Sequence, residues 1–188
     1  MKQLLLIRHC EADGQGRYIG RSDPSLTEAG VAQAHKLAER LNQRLCTGGR
    51  FLVLSSPARR CLETARLFTQ GTELLIEQDS DLWEVDFGRW DGWHFSEISA
   101  NDPTLVDEWA KGRMDFRFPD GESLSDFWMR IKRVGCRIRR RQNDMIVIFT
   151  HGGVVRFLLC FFLALPPSSH HIFQIDIGSI AHIHLYDT

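Results

Sequence analysis

The sequence contains no Cys-x-x-Cys pair, and its five cysteines are widely spaced: Cys10, Cys46, Cys61, Cys136 and Cys160. An odd number of scattered cysteines argues against a disulfide framework and against a zinc site, and it indicates free thiols in a reducing compartment. We therefore expect a cytoplasmic protein without structural disulfides.

Long apolar runs and a strong net charge are also missing. The most apolar stretch, 154–165, is too short to span a bilayer and contains Arg156, so we interpret it as a buried core helix. The formal net charge of -1 favours neither nucleic acid nor an anionic membrane as a partner. The basic run at 130–141 keeps its apolar residues at helical spacing, which predicts a solvated helix face.

Short apolar runs of strand length alternate with stretches of helical periodicity. Strands are predicted at 4–8, 51–55, 73–77, 145–150, 171–177 and 180–186. Helices are predicted after Thr27, from Ser56 to about Phe68, at 124–138 and directly after Thr150, with a turn at 47–50. The segment 82–121 is interpreted as irregular structure around one or two short helices.

This alternation predicts a single α/β domain over residues 1–188. We expect a three-layer sandwich, in which helices flank a mostly parallel mixed sheet of about six strands. In such sheets ligands bind beyond the carboxyl ends of the strands. Arg8 and His9 follow the first predicted strand, and His151 follows the strand at 145–150, so these three side chains are expected to share one crevice.

The residue types at these strand ends suit a phosphate group. Arginine forks match phosphate oxygens, and the glycines after His151 open a helix whose N–H groups can face an anion. A histidine can serve as nucleophile with a carboxylic acid as proton donor. Arginines and a cationic second histidine would then balance the phosphoryl charge, so no metal and no cofactor is expected.

Six segments carry a more specific pattern, and they resemble, in order, the motifs of the histidine phosphatase superfamily, which has the phosphoglycerate mutase-like fold. One such match would be weak evidence, whereas six in order over most of the chain are specific. The segments read "RHCE", "DPSLTEAG", "SSPARRCLETA", "LWEVDFGRWDG", "PDGESLSDFWMRI" and "THGGVVR".

The resemblance implies roles for single residues. His9 would be the nucleophile that becomes phosphorylated. Glu84 would protonate the leaving alcohol and then activate water. Contacts to the phosphoryl oxygens would come from Arg8, Arg60, His151, the Gly152 N–H and Gln15. Arg60 matches the family arginine, whereas Arg59 falls on a variable position.

Two positions depart from the family pattern. Cys10 stands where the family has glycine after the nucleophile, and an exposed thiolate there would make activity sensitive to oxidation. Gln15 stands where many members carry a phosphate-binding asparagine, and the longer amide could still donate a hydrogen bond.

Three functions remain open at this point. The first is hydrolysis of the phosphomonoester of a small metabolite, and the resemblance to small bacterial members suggests α-ribazole 5′-phosphate. The second is transfer of the phosphoryl group, as in phosphoglycerate mutases, which are typically longer. The third is a catalytically silent phospholigand-binding protein. Residues 89–121 are predicted to form a lid or substrate-specificity region, and a homodimer is the assembly considered.

Overall fold

The computed structural model describes residues 1–45 and 49–186, without the side chains of 42–45. Cys46 and part of the predicted turn at 47–50 lie outside the described residues. Five strands form one sheet in the order β3-β2-β4-β1-β5. They are β1 Lys2–Arg8, β2 Phe51–Ser55, β3 Ile76–Gln78, β4 Met145–Thr150 and β5 Ile180–Leu185. All pairs are parallel except β1 with β5, so the predicted mixed sheet is confirmed.

Six α-helices surround the sheet in the described part of the chain. They are α1 Glu28–Leu45, α2 Arg59–Thr69, α3 Phe95–Asn101, α4 Pro103–Ala110, α5 Leu124–Arg140 and α6 Gly152–Phe162. The short helices α3 and α4 confirm the interpretation of the segment 82–121. None of the helices in the described part of the chain has the length and apolar character needed to cross a membrane.

The period-two alternation of strand side chains divides the core into two layers. Leu5, Val53 and Val147 pack with α1 and α2 on one face, whereas Leu6 and Ile148 pack with α5 and α6 on the other. The central strand β4 is buried along its whole length. The predicted three-layer sandwich is therefore confirmed.

The predicted strand at 171–177 does not form. Part of it belongs to a 3-10 helix, Pro167–Ile172, and its later carbonyls are taken by side chains. The Phe173 carbonyl accepts from Arg156 Nε at 3.0 Å, and the Ile175 carbonyl accepts from Arg8 Nη1 at 2.8 Å. These carbonyls therefore bond to arginine side chains and not to a neighbouring strand.

Two element boundaries also differ from the predictions. The third strand is shorter than predicted and begins at Ile76, because its pairing with β2 is confined to Val53–Ser55. Helix α2 begins at Arg59 and not at Pro57, since Ala58 keeps an extended backbone. Ser56 is therefore not a helix cap, and its hydroxyl is directed to the interior of the site described below.

Candidate active site

The carboxyl ends of β1 and β4 meet at one edge of the sheet. The two strands are parallel neighbours with Arg8 opposite Thr150, and the His9 N–H donates to the Thr150 carbonyl at 2.9 Å. The rings of His9 and His151 consequently lie close together, with centroids 5.4 Å apart at an interplanar angle of 66°. Strand register alone thus brings the two histidines together.

His9 is held as a neutral imidazole with a defined tautomer. Its Nδ1 lies 2.8 Å from the Cys10 carbonyl, which can only accept, so Nδ1 carries the proton and Nε2 keeps its lone pair. Burial, together with the charges of Arg60 and Arg8, lowers the pKa of His9 to about 3. The ring is therefore in the form that a nucleophile requires at neutral pH.

Arg8 and Arg60 approach the same cavity from β1 and α2. Arg60 is 1% exposed, whereas the side chain of Arg59 is 60% exposed and pairs with Glu63. Among the described residues, the buried side-chain nitrogen and oxygen atoms without a hydrogen-bond partner are the Nε atoms of Arg8 and Arg60. Unpaired buried donors are costly, and two cationic ones lining a single cavity are suited to an anion.

His151 is completely buried and supports Arg60 from behind. Its Nδ1 accepts from Arg60 Nη2 at 3.1 Å, so its Nε2 carries the proton and donates to Ser56 Oγ at 2.9 Å. Burial and the charge of Arg60 lower the pKa of His151 well below its usual value. The expectation of a cationic second histidine is therefore wrong for this arrangement, and both ring nitrogens are engaged with protein groups.

A loop at 19–22 fixes the guanidinium of Arg60 from the other side. Its Nη1 donates to the Ser22 carbonyl at 2.9 Å, and its Nη2 lies 3.3 Å from the carbonyls of Ile19 and Gly20. These contacts engage both terminal nitrogens, whereas the buried Nε has no partner. Arg60 is thus preorganised, because its side chain has little freedom left to lose when a ligand binds.

Glu84 is positioned by an arginine that the sequence analysis assigned to the solvated face. Arg130 donates to the carbonyls of Asp81, Trp83 and Glu84 at 2.7, 2.6 and 3.2 Å, and it pairs with Glu122 at 2.7 Å. Its burial is possible because every donor group has a partner. The available sequence signal was its place on α5, three residues after the core residue Phe127.

The Glu84 carboxylate itself rests on the first turn of α6. It is 8% exposed, and its Oε2 accepts from the Gly153 N–H at 3.0 Å while Oε1 accepts from the Val85 N–H at 3.0 Å. A Cβ at position 153 would lie 2.4 Å from Oε1, so any larger residue there would collide with the carboxylate in this position. At Gly152 the nearest atom to a Cβ would be Arg8 Nε, at 3.5 Å.

The two positions that depart from the family pattern have clear placements. Cys10 is fully buried in the α1–α2 layer, and burial raises the pKa of its thiol to about 11. Oxidation sensitivity would require an exposed thiolate at Cys10, and this buried thiol does not meet that condition. Gln15 is exposed and lines the mouth of the cavity.

A second cavity adjoins the one that holds His9. Both are lined by Arg8, Glu84, Tyr18 and Phe87, and the second continues past Gly152, Trp109 and Arg156. Tyr18, Phe87 and Arg156 were not among the predicted site residues. Phe87 and Arg156 carried a sequence signal, because they lie in the motif segments "LWEVDFGRWDG" and "THGGVVR".

Comparison with known proteins agrees with this arrangement. The sequence profile of the histidine phosphatase superfamily (branch 1) matches residues 4–188. The chain belongs to the histidine phosphatase superfamily. This histidine phosphatase is 30% identical over 188 residues to phosphoserine phosphatase 1 of Hydrogenobacter thermophilus, a match that covers 98% of this chain and 87% of that protein.

Two further matches extend the comparison. The crystal structure of the α-ribazole phosphatase from Shigella flexneri superposes with a TM-score of 0.88 and 28% identity, covering 98% of this chain and 91% of that one. A bifunctional protein of Mycobacterium tuberculosis is 33% identical over 189 residues, which are 98% of this chain and 50% of that protein. The family and its named phosphatase members identify this chain as a phosphatase.

Proposed function

We propose that this histidine phosphatase hydrolyses the phosphomonoester of a small metabolite, without a metal ion, through a phosphohistidine at His9. One observation carries the proposal: Arg8 and Arg60, whose buried Nε–H groups have no partner, line the same cavity as a neutral His9 whose Nε2 lone pair is available. An anionic phosphoryl group would satisfy both donors and meet the nucleophile.

The first half-reaction forms the phosphoenzyme. His9 Nε2 attacks phosphorus, and an N–P bond forms as the bond from phosphorus to the ester oxygen breaks. Glu84, in its protonated form, gives its proton to the departing oxygen, so the alcohol leaves neutral. Arg8 and Arg60 balance the phosphoryl charge directly, with the Gly152 N–H as a further donor, and His151 holds Arg60 in place.

The second half-reaction returns the enzyme to its starting state. The Glu84 carboxylate takes a proton from water as the water oxygen attacks phosphorus, and the N–P bond breaks. The products are inorganic phosphate and neutral His9, and Glu84 is protonated again. The contact with the Gly153 N–H keeps the Glu84 carboxylate at the same place in both steps.

The alternatives have less support. Cys10 was the feature that favoured a silent phospholigand-binding protein, and its side chain packs into the core and does not line the cavity. No observation favours phosphoryl return to the substrate over transfer to water, since the cavity around His9 is open at its mouth near Gln15. Hydrolysis therefore ranks first.

The residues that line the adjoining cavity would determine which ester is hydrolysed. α-Ribazole 5′-phosphate is one candidate, supported by the name of the Shigella relative and by the aromatic wall of Tyr18, Phe87 and Trp109. Phosphoserine is the other, supported by the name of the Hydrogenobacter relative. Residues 89–121 contribute Trp109 to this wall, which supports their proposed role in substrate specificity. Cytoplasmic location and homodimer formation stay predictions.

A panel of esters tests the proposal. We expect phosphate release in the presence of EDTA from p-nitrophenyl phosphate and from at least one of α-ribazole 5′-phosphate, phosphoserine and 3-phosphoglycerate. Release that required an added divalent metal would contradict metal independence. Absence of release from every ester would contradict hydrolysis itself, and isomerisation of a phosphoglycerate in the same assay would favour the mutase.

A further inference from the structure

Arg156 stands in the part of the cavity that the leaving alcohol would occupy. It lines the same cavity as Arg8, Glu84 and Gly153. It lies on α6, four residues after Gly152, which corresponds to a rise of about 6 Å along the helix. Helical side chains lean over the turn that precedes them, so the guanidinium lies above the turn that also presents the Gly152 and Gly153 N–H groups.

The guanidinium of Arg156 is fixed but not neutralised. Its Nε donates to the Phe173 carbonyl at 3.0 Å, which holds the plane of the fork. Among the described residues, no carboxylate lies within 4.0 Å of its nitrogens, and neither Nη atom has a hydrogen-bond partner. A partly buried arginine with an oriented and unused fork is suited to a ligand carboxylate.

Apart from Arg8, the groups that line this cavity beside Arg156 carry no available positive charge. His170 stacks on Phe157 with centroids 4.6 Å apart and lines the cavity beside Arg156. Burial lowers the pKa of His170, so this ring is neutral near pH 7. Lys111, at the outer end of the groove, is paired with Glu108. Arg8 also lines this cavity, but it is assigned to the phosphoryl group, so Arg156 is the arginine left for a leaving group that enters beyond Glu84.

We propose that Arg156 binds a carboxylate on the leaving alcohol, so that the preferred substrates are phosphomonoesters of short hydroxy acids or amino acids. The inference rests on the proposed function, because it places the ester bond at His9 and Glu84. A carboxylate three or four bonds from the ester oxygen reaches about 5 Å from it, so a short acid would keep its carboxylate inside the cavity that Glu84 and Arg156 share.

The same geometry ranks other leaving groups lower. The leaving alcohol of α-ribazole 5′-phosphate has no carboxylate for the fork and could use only the aromatic wall. A second phosphate would bring about two negative charges to a single arginine in a cavity that also holds the Glu84 carboxylate. A carboxylate brings one negative charge, which Arg156 can balance.

A pair of substrates that differ at one group tests the inference. 3-Phosphoglycerate carries a carboxylate where glycerol 3-phosphate carries a hydroxymethyl group. We expect the wild-type kcat/KM to be about tenfold or more higher for 3-phosphoglycerate, the scale of a charge-assisted hydrogen-bonded pair. In Arg156→Met this ratio should fall to about one, and Arg156→Lys should retain part of it.

Matched controls separate this inference from general effects. Arg140→Met removes an exposed arginine on the outer face of α5 and should keep the wild-type ratio. If Arg156→Met does not fold, the ratio of the two kcat/KM values in the wild-type enzyme and in Arg156→Lys still tests the inference. Active hydrolysis with a wild-type ratio near one, or an unchanged ratio in Arg156→Met, would overturn the inference.

Equilibrium binding separates failure of the inference from failure of the proposed function. Calorimetry on the His9→Ala protein should show 3-phosphoglycerate binding about tenfold or more tightly than glycerol 3-phosphate, whether or not the wild-type enzyme turns either over. Equal affinities would overturn the assignment of Arg156. Absence of phosphate release from every ester, with this preference retained, would overturn hydrolysis and leave the carboxylate contact standing.

Discussion

His9→Ala is expected to lower kcat for every phosphomonoester by on the order of 10⁴-fold or more, the scale seen when a covalent nucleophile is removed. The substitution deletes the Nε2 lone pair but leaves Arg8 and Arg60 in place, so inorganic phosphate should still bind. The measurement is steady-state phosphate release from p-nitrophenyl phosphate, with phosphate affinity determined in parallel by calorimetry.

A histidine outside the site provides the matched control for this variant. His35 is exposed on α1, and His35→Ala should turn over at the wild-type rate. If His9→Ala retained more than about a hundredth of wild-type activity while His35→Ala behaved as wild type, the nucleophile would have to be another group. Loss of phosphate binding in His9→Ala would instead point to a disturbed pocket.

Glu84→Gln is expected to show an effect that depends on the leaving group. An alkyl alcohol needs the proton from Glu84 as it departs, so phosphorylation of His9 by an alkyl ester should slow by about 10²–10⁴-fold. p-Nitrophenolate leaves without help, so this ester should still phosphorylate His9. Because Glu84 also activates water, stopped-flow measurements should show a burst of p-nitrophenol close to one per enzyme, followed by slow turnover.

Gly153→Ala offers a second route to the same result. The added methyl group would overlap with Glu84 Oε1 and displace the carboxylate while leaving its chemistry intact. The burst with p-nitrophenyl phosphate and the slow alkyl reaction should therefore recur, with unchanged inhibition by inorganic phosphate. Equal loss of alkyl and aryl phosphorylation rates in Glu84→Gln would show that Glu84 is not the acid.

The arrangement of Arg8, His9 and His151 at one edge could be predicted because it depends on strand order and chain direction. Two buried parallel strands that each end in polar residues bring those residues together once the strands are neighbours. Arg60 could be chosen over Arg59 from its place in the motif, and its burial agrees with that choice. Local patterns and motif order therefore suffice for the main groups.

Other parts of the site depend on tertiary contacts that no local pattern encodes. Arg130 belongs to a basic run, and only the approach of the segment 81–84 explains its burial. The charge of His151 could not be predicted, because its neutral state follows from complete burial and from the Arg60 donor at 3.1 Å. The segment 171–177 has the apolar alternation of a strand, but arginine side chains take its carbonyls.

The central claim is that His9 accepts the phosphoryl group, and trapping the intermediate tests it most directly. Glu84→Gln protein is mixed with p-nitrophenyl phosphate, quenched in alkali after the burst and digested with trypsin. We predict that mass spectrometry finds a phosphoryl group on His9, in the peptide that spans residues 9–17, in an amount matching the burst. A burst with the phosphoryl group on another residue, or with no phosphorylated peptide, would contradict the account.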